Sequence, residues 1–192
     1  MKAVDGANYL VYLMSDICDD LTNMKLNKLL YFAQGHYLQE YGVPLFDERM
    51  EAWEHGPVFP SVYAEYRKYG DAPVPRPDAS AAGEVPEDAA DALFEVAREY
   101  GKYTASALRN MTHAVGGPWD RAYQRGKLHT EIPVSSIRDY FTRKEAKRLT
   151  PLELNLSDED YIGYTDENGV LVLPAEWNDK RDQLRFELRL AG

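Results

Sequence analysis

The sequence holds four histidines, His36, His55, His113 and His129, and a single cysteine, Cys18. Imidazole is suited to proton transfer near neutral pH and to metal binding, so its spacing is weighed first. No two histidines stand four residues apart, the interval that brings two imidazoles to one metal from one helical face. His55 is the most suggestive, because it lies in the run Glu54-His55-Gly56-Pro57, where a carboxylate beside an imidazole could serve acid–base chemistry from a loop. A solvated loop explains the same residues and is the favoured reading. His36 falls in a helical stretch and reads as structural. Cys18 sits beside an apolar helical face and next to Asp19 and Asp20, whose charges would raise a thiol pKa and blunt a nucleophile. The adjacent carboxylates Asp19-Asp20 and Asp158-Glu159-Asp160 read as helix caps and solvated faces. Gly116-Gly117-Pro118 has no strand before it and no lysine placed for phosphate, so it reads as a helix end. No catalytic residue, metal or cofactor is expected.

Aromatic side chains are the other notable chemistry: 14 Tyr, 3 Trp and 6 Phe make up 12% of the chain. Eight of the tyrosines, from Tyr9 to Tyr69, fall in the first 70 residues, more than one buried face holds. Some of these phenols are expected at the surface, where tyrosine offers a stiff contact with a polar tip.

The elements that must position these groups follow from periodicity. Ala3, Ala7, Leu10, Met14 and Ile17 recur at intervals of three and four, which predicts a helix from Ala3 to Cys18. Thr22 and Asn23 supply a cap for a second helix bearing Leu26, Leu29, Leu30, Ala33 and Tyr37, stopped at Tyr41-Gly42. Val43 to Gly56 reads as a turn and a short extended segment. Pro57 and Pro60 open a short third helix carrying Val62, Tyr63 and Tyr66, closed by Gly70. The prolines of Asp71 to Gly83 mark a connector. A fourth helix starts at Pro86 and ends at Gly101, a fifth starts at Thr104, Trp119 to Tyr123 adds a turn, and Ser135 or Ser136 caps a last helix with Ile137, Tyr140 and Phe141. Beyond Pro151 the period changes. Tyr161 to Thr165 and Val170 to Leu173 flank Asn168-Gly169, a hairpin signal, and Leu184 to Leu190 alternates apolar with charged residues. The expected fold is mainly α: a compact bundle of about six helices with a short extended segment over residues 1–149, followed by a small C-terminal β-hairpin/strand appendage over 150–192.

Lys and Arg total 22 against 32 Asp and Glu, a formal net charge of −10. That balance disfavours generic nucleic-acid binding, which draws on cations releasing phosphate counterions. Charge is nonetheless uneven, with eight basic and three acidic side chains in residues 121–150 but four and ten in 151–192. One cysteine rules out an intrachain disulfide or a cysteine-cluster zinc site, and no apolar run approaches membrane-spanning length, so a cytoplasmic home without membrane contact is expected.

The blocks Lys25-Leu26-Asn27-Lys28-Leu29-Leu30-Tyr31-Phe32-Ala33-Gln34-Gly35 and Glu51-Ala52-Trp53-Glu54-His55-Gly56-Pro57-Val58, in this order and followed by Val62-Tyr63 and Tyr69-Gly70, resemble the Panacea domain of SocA-like antitoxins, also found in phage-associated proteins. The likeness extends more loosely through Thr112-His113 and Pro118-Trp119 to Tyr140-Phe141, roughly residues 3 to 142. It implies a helical antitoxin that neutralises a nearby-encoded protein toxin by direct contact. One branch of the family acts instead as an adaptor delivering its toxin to the ClpXP protease. The motif residues Lys25, Leu26, Lys28, Leu29, Tyr31, Gly35, Trp53, Gly56, Pro57 and Trp119 read as fold determinants: Gly35 for close helix packing, Gly56-Pro57 for a turn, Trp53 and Trp119 as core anchors. Partner contacts are expected at exposed Tyr63, Tyr66 and Tyr69 and at the acidic hairpin tip, Asp166 and Glu167. The alternative of a different class is a DNA-binding operon regulator, with Lys25 and Lys28 on the second helix and Arg138, Arg143, Lys144, Lys147 and Arg148 on the last reaching phosphates.

Overall fold

The computed structural model describes residues 1–15, 18–77, 85–127 and 129–144, with the backbone of 164–165 and 171–172 and of Lys144. Seven α-helices are present among them: α1 (Ala3–Met14), α2 (Asn23–Tyr41), α3 (Pro60–Tyr66), α4 (Glu87–Tyr100), α5 (Ala105–Thr112), α6 (Pro118–Ala122) and α7 (Val134–Lys144). The strands are β1 (Met50–Trp53), β2 (Gly56–Val58), β3 (Thr130–Ile132), β4 (Tyr164–Thr165) and β5 (Leu171–Val172).

Helix α2 is the axis on which the fold is assembled, in contact with α1, α3, α4, α5, α7 and β2. Its start is fixed by the Thr22 hydroxyl, which accepts the Lys25 N–H at 3.2 Å. Its end is fixed by Gly42 at φ +73°, a left-handed cap that suits glycine. Between these ends Leu26, Leu29, Leu30, Tyr31, Phe32 and Ala33 are buried, and so are Asn23, Lys25, Asn27, Lys28 and Gln34. Burying polar groups costs free energy unless partners are found. Each of these side chains uses its polar atoms to fasten another part of the chain. Asn27 Oδ1 accepts the Phe59 N–H at 3.0 Å, Gln34 Oε1 accepts the Phe46 N–H at 3.0 Å, and Asn23 Nδ2 donates to the Tyr63 carbonyl at 3.2 Å. The Lys25 ammonium donates to Asp20 Oδ1 at 2.7 Å and to the Gly101 carbonyl at 2.8 Å.

At the far end of α2, Gly35 admits the Phe141 ring of α7 so closely that a Cβ would stand 2.3 Å from it. Phe141 lies edge-on to Tyr31 and Phe32, and Phe32 stacks on Tyr100 of α4 with ring centroids 4.1 Å apart. The close packing expected of Gly35 is thus a helix–ring contact between α2 and α7.

Three expectations are corrected. The first helix ends at Met14 rather than Cys18; the Ser15 hydroxyl donates to the Tyr12 carbonyl, a local bond that competes with further helical bonding. The single extended segment is one strand of a three-stranded antiparallel sheet of order β2-β1-β3, with Ala52 opposite Pro57 on one side and Thr130 on the other. Pro57 reads as a turn or helix-start residue, yet it sits in a strand because β2 is at the sheet edge, where a missing N–H is tolerated. The third strand has only three residues, too few to show an alternating pattern. In the C-terminal region β4 and β5 pair antiparallel, Tyr164 with Val172 and Thr165 with Leu171. The intervening turn and the alternating run Leu184 to Leu190 lie outside the described residues.

Candidate functional site

The two sequence blocks meet at Lys28. Its side chain is fully buried and its Nζ donates to the Pro57 carbonyl at 3.0 Å, so the helix holds the β1–β2 hairpin from beneath. Burial, reinforced by the Arg109 guanidinium, pushes the amine down to about 7. Gly56 stands at φ +106°, and a Cβ there would lie 2.8 Å from Lys28 Cε and 2.9 Å from Thr112 Oγ1. Both the backbone conformation and the close approach therefore require glycine. The spacing of the blocks is explained by this contact: the lysine of one needs the glycine–proline of the other.

A ring stack borders this contact. His113 lies on Trp119 with centroids 3.5 Å apart, and Trp119 lies on Tyr123 at 4.7 Å. Trp119 Nε1 donates to the Trp53 carbonyl at 2.8 Å, which ties α6 to the hairpin. Burial, with Arg109, Lys28 and His55 adding repulsion, pushes His113 down to about 4, so it is neutral at physiological pH. Arg109 Nε and His113 Nε2 are buried without a hydrogen-bond partner among the described residues.

Above Lys28 a groove of about 690 Å³ opens between the start of α2, the β1–β2 hairpin, the turn after α3 and the loop from α6 to β3. That size falls within the range of small-molecule or peptide pockets. Trp53, Tyr63 and Tyr123 give it aromatic walls, and Arg67, Arg125 and Lys127 give it positive charge against the carboxylates of Glu54 and Asp71. Among the described residues no group of three or more His, Cys, Asp or Glu is arranged to hold a metal ion.

The residues expected to contact a partner divide. Tyr63 is 41% exposed and packs edge-on against Trp53 at 4.8 Å. Tyr66 is not a surface ring: it is 6% exposed, its hydroxyl bonded to Asn8 Oδ1, because the third helix turns this face onto α1. Tyr69 is half-buried beneath the Lys68 ammonium. Asp166 and Glu167 lie outside the described residues. Of the proposed core anchors, Trp119 is buried but Trp53 is only half-buried, since one side of it lines the groove. Glu54 and His55 are both exposed at the hairpin turn. A pair that sequence reading missed is His129 Nδ1 with Glu51 Oε2 at 2.8 Å, the same oxygen that accepts from Trp53 Nε1. The two residues are 78 apart in sequence and are brought together by β3 pairing with β1. For a DNA-binding surface, Lys25 and Lys28 are excluded by their burial.

Residues 26–120 match the family described as Antitoxin SocA-like, Panacea domain. The match begins inside α2 and ends in α6, so it takes in the Lys28–Pro57 contact and the His113–Trp119 stack. Among curated proteins the chain is similar to Antitoxin SocA of Caulobacter vibrioides (strain NA1000 / CB15N), 34% identical over 124 residues. The likeness covers 59% of this chain and 66% of that relative, a little under two thirds of its length. No solved structure matches the chain. No helix among the described residues is long and apolar enough to cross a membrane.

Proposed function

We propose that this protein is an antitoxin that neutralises a protein toxin, encoded beside it, by binding it directly and without chemistry of its own. The observation that carries this reading is the likeness to an antitoxin over residues 26–120, which take in most of α2, the β1–β2 hairpin and the Lys28–Pro57 contact. Glu54 and His55 are exposed at the hairpin turn, which is consistent with a contact role for the hairpin. Net charge supports it too: a surface at −10 is steered toward a basic partner and repelled from nucleic acid. Effective neutralisation needs a nanomolar complex, worth about −12 kcal/mol and burying about 1,600 Å² in total.

The test is co-expression with the adjacent open reading frame. The neighbour alone is expected to arrest growth, and the pair to restore it. A neighbour that is harmless alone, or still lethal beside this protein, contradicts the reading.

A further inference from the structure

We propose that the groove above Lys28 receives an extended acidic segment of the protein partner, its carboxylates set between Arg67, Arg125 and Lys127. The inference rests on the antitoxin reading only for the identity of that partner. In a chain with 32 acidic and 22 basic side chains, most cations should find carboxylates nearby, and many do. Lys25 pairs with Asp20, Arg49 with Glu131, Lys68 with Glu65 and Arg98 with Glu95. Arg67, Arg125 and Lys127 form no ion pair with any described residue, although they come from two separate elements and converge on one groove. Three exposed cations without a counter-charge among the described residues, gathered on an acidic molecule, form a local field opposite to the global one.

The groove supplies more than charge. Trp53, Tyr63 and Tyr123 offer rigid contact area of the kind that anchors protein interfaces, and Asn23 and Lys28 place buried polar groups at its floor. These features would also suit a nucleic-acid strand, since aromatic rings and arginines stack bases. Two observations favour a protein carboxylate. Glu54 and Asp71 share the groove and would face successive phosphates, whereas a peptide can space its few carboxylates away from them. Lys28, held near half-protonation at neutral pH by its burial, acts there as a hydrogen-bond group more than as a phosphate counterion. An acidic peptide can place its few carboxylates on the three exposed cations and its apolar side chains on the rings.

The test uses the full chain and needs no toxin, so its failure and that of neutralisation register separately. A short fluorescein-labelled peptide alternating glutamate and tyrosine is titrated by anisotropy in low salt, against a labelled deoxythymidine oligonucleotide of equal length. The peptide is expected to bind more tightly than the oligonucleotide. Its affinity should fall at least about tenfold in the Arg67→Glu/Arg125→Glu/Lys127→Glu variant and stay unchanged in Arg98→Glu, whose charge lies on α4. These substitutions are at exposed positions, and unaltered circular dichroism and melting confirm that the variant folds. No binding of the peptide, binding indifferent to the triple reversal, or preference for the oligonucleotide overturns the proposal. So does carbodiimide cross-linking of the free chain that joins Lys127 to carboxylates of its own residues 151–192, which would make the occupant internal.

Discussion

Beside the leucines Leu26, Leu29 and Leu30 that both share, the first turns of α2 bury Asn23, Lys25, Asn27 and Lys28, while the later turns, Gln34 apart, bury Tyr31, Phe32, Ala33 and the Gly35 backbone against Phe141 and Tyr100. Both halves are covered to a similar degree, by different chemistry. The later half coheres through ring packing and the removal of apolar surface from water, a force with little directionality. The earlier half coheres through directed bonds from side-chain nitrogens and oxygens to the backbone of loops, and these bonds place the hairpin and α3 around the groove. Polar groups that are fully satisfied specify an arrangement where apolar ones would tolerate several.

That division predicts different responses to substitution. The largest concerns Lys28. Its amine is held down to about 7 in the folded chain against 10.5 when exposed, so between those values the unfolded state binds more protons and stability rises with pH. Below about 7 the penalty for the buried charge is complete, on the order of 5 kcal/mol relative to pH above 10.5. Urea denaturation across pH 7 to 10 should show this upward slope in the parent and a flatter profile in Lys28→Met; parallel profiles would mean that the amine is not desolvated as described.

Second in size is Gly35→Ala. The new Cβ would sit 2.3 Å from the Phe141 ring, and displacing that ring should cost about 2 kcal/mol in spite of alanine's better helix propensity. Adding Phe141→Leu should recover part of the loss in thermal melts, since the smaller side chain vacates the space. Equal stability of Gly35→Ala and the parent would remove close packing as the reason for glycine there.

Smaller again is Asn27→Ala, which leaves the buried Phe59 N–H without an acceptor and should cost about 1–2 kcal/mol. Because Phe59 joins the hairpin to α3, the effect should also appear as faster amide exchange at Phe59 and Val58. A loss of stability with unchanged exchange there would mean that the earlier half, too, acts through bulk packing.

The later half of α2 was legible in the sequence, and the earlier half only in part. Leu26, Leu29, Leu30 and Ala33 repeat at helical intervals, and Thr22 and Gly42 mark the ends by elementary capping chemistry. Lys25, Asn27 and Lys28 look like a solvated face in the same pattern. Their burial depends on partners 29 to 76 residues away, which local periodicity cannot register. The same limit hid β2 and β3: Gly56-Pro57 carries turn chemistry and becomes a strand only because β1 pairs with it. It also hid the groove, whose cations lie in the turn after α3 and in the loop before β3. The burial of Tyr66 is not legible in the sequence, because a helix of seven residues is too short for its pattern to tell which tyrosine faces inward.

If neutralisation is occlusion by a preformed face, as proposed, purified components alone must reproduce it. The adjacent gene product is assayed for its own activity with increasing amounts of this protein, with no protease, nucleotide or metal added. Stoichiometric, nanomolar inhibition that coincides with complex formation on size exclusion is the predicted result. A complex in which the toxin keeps full activity until a protease is supplied, or no complex at all, would contradict it.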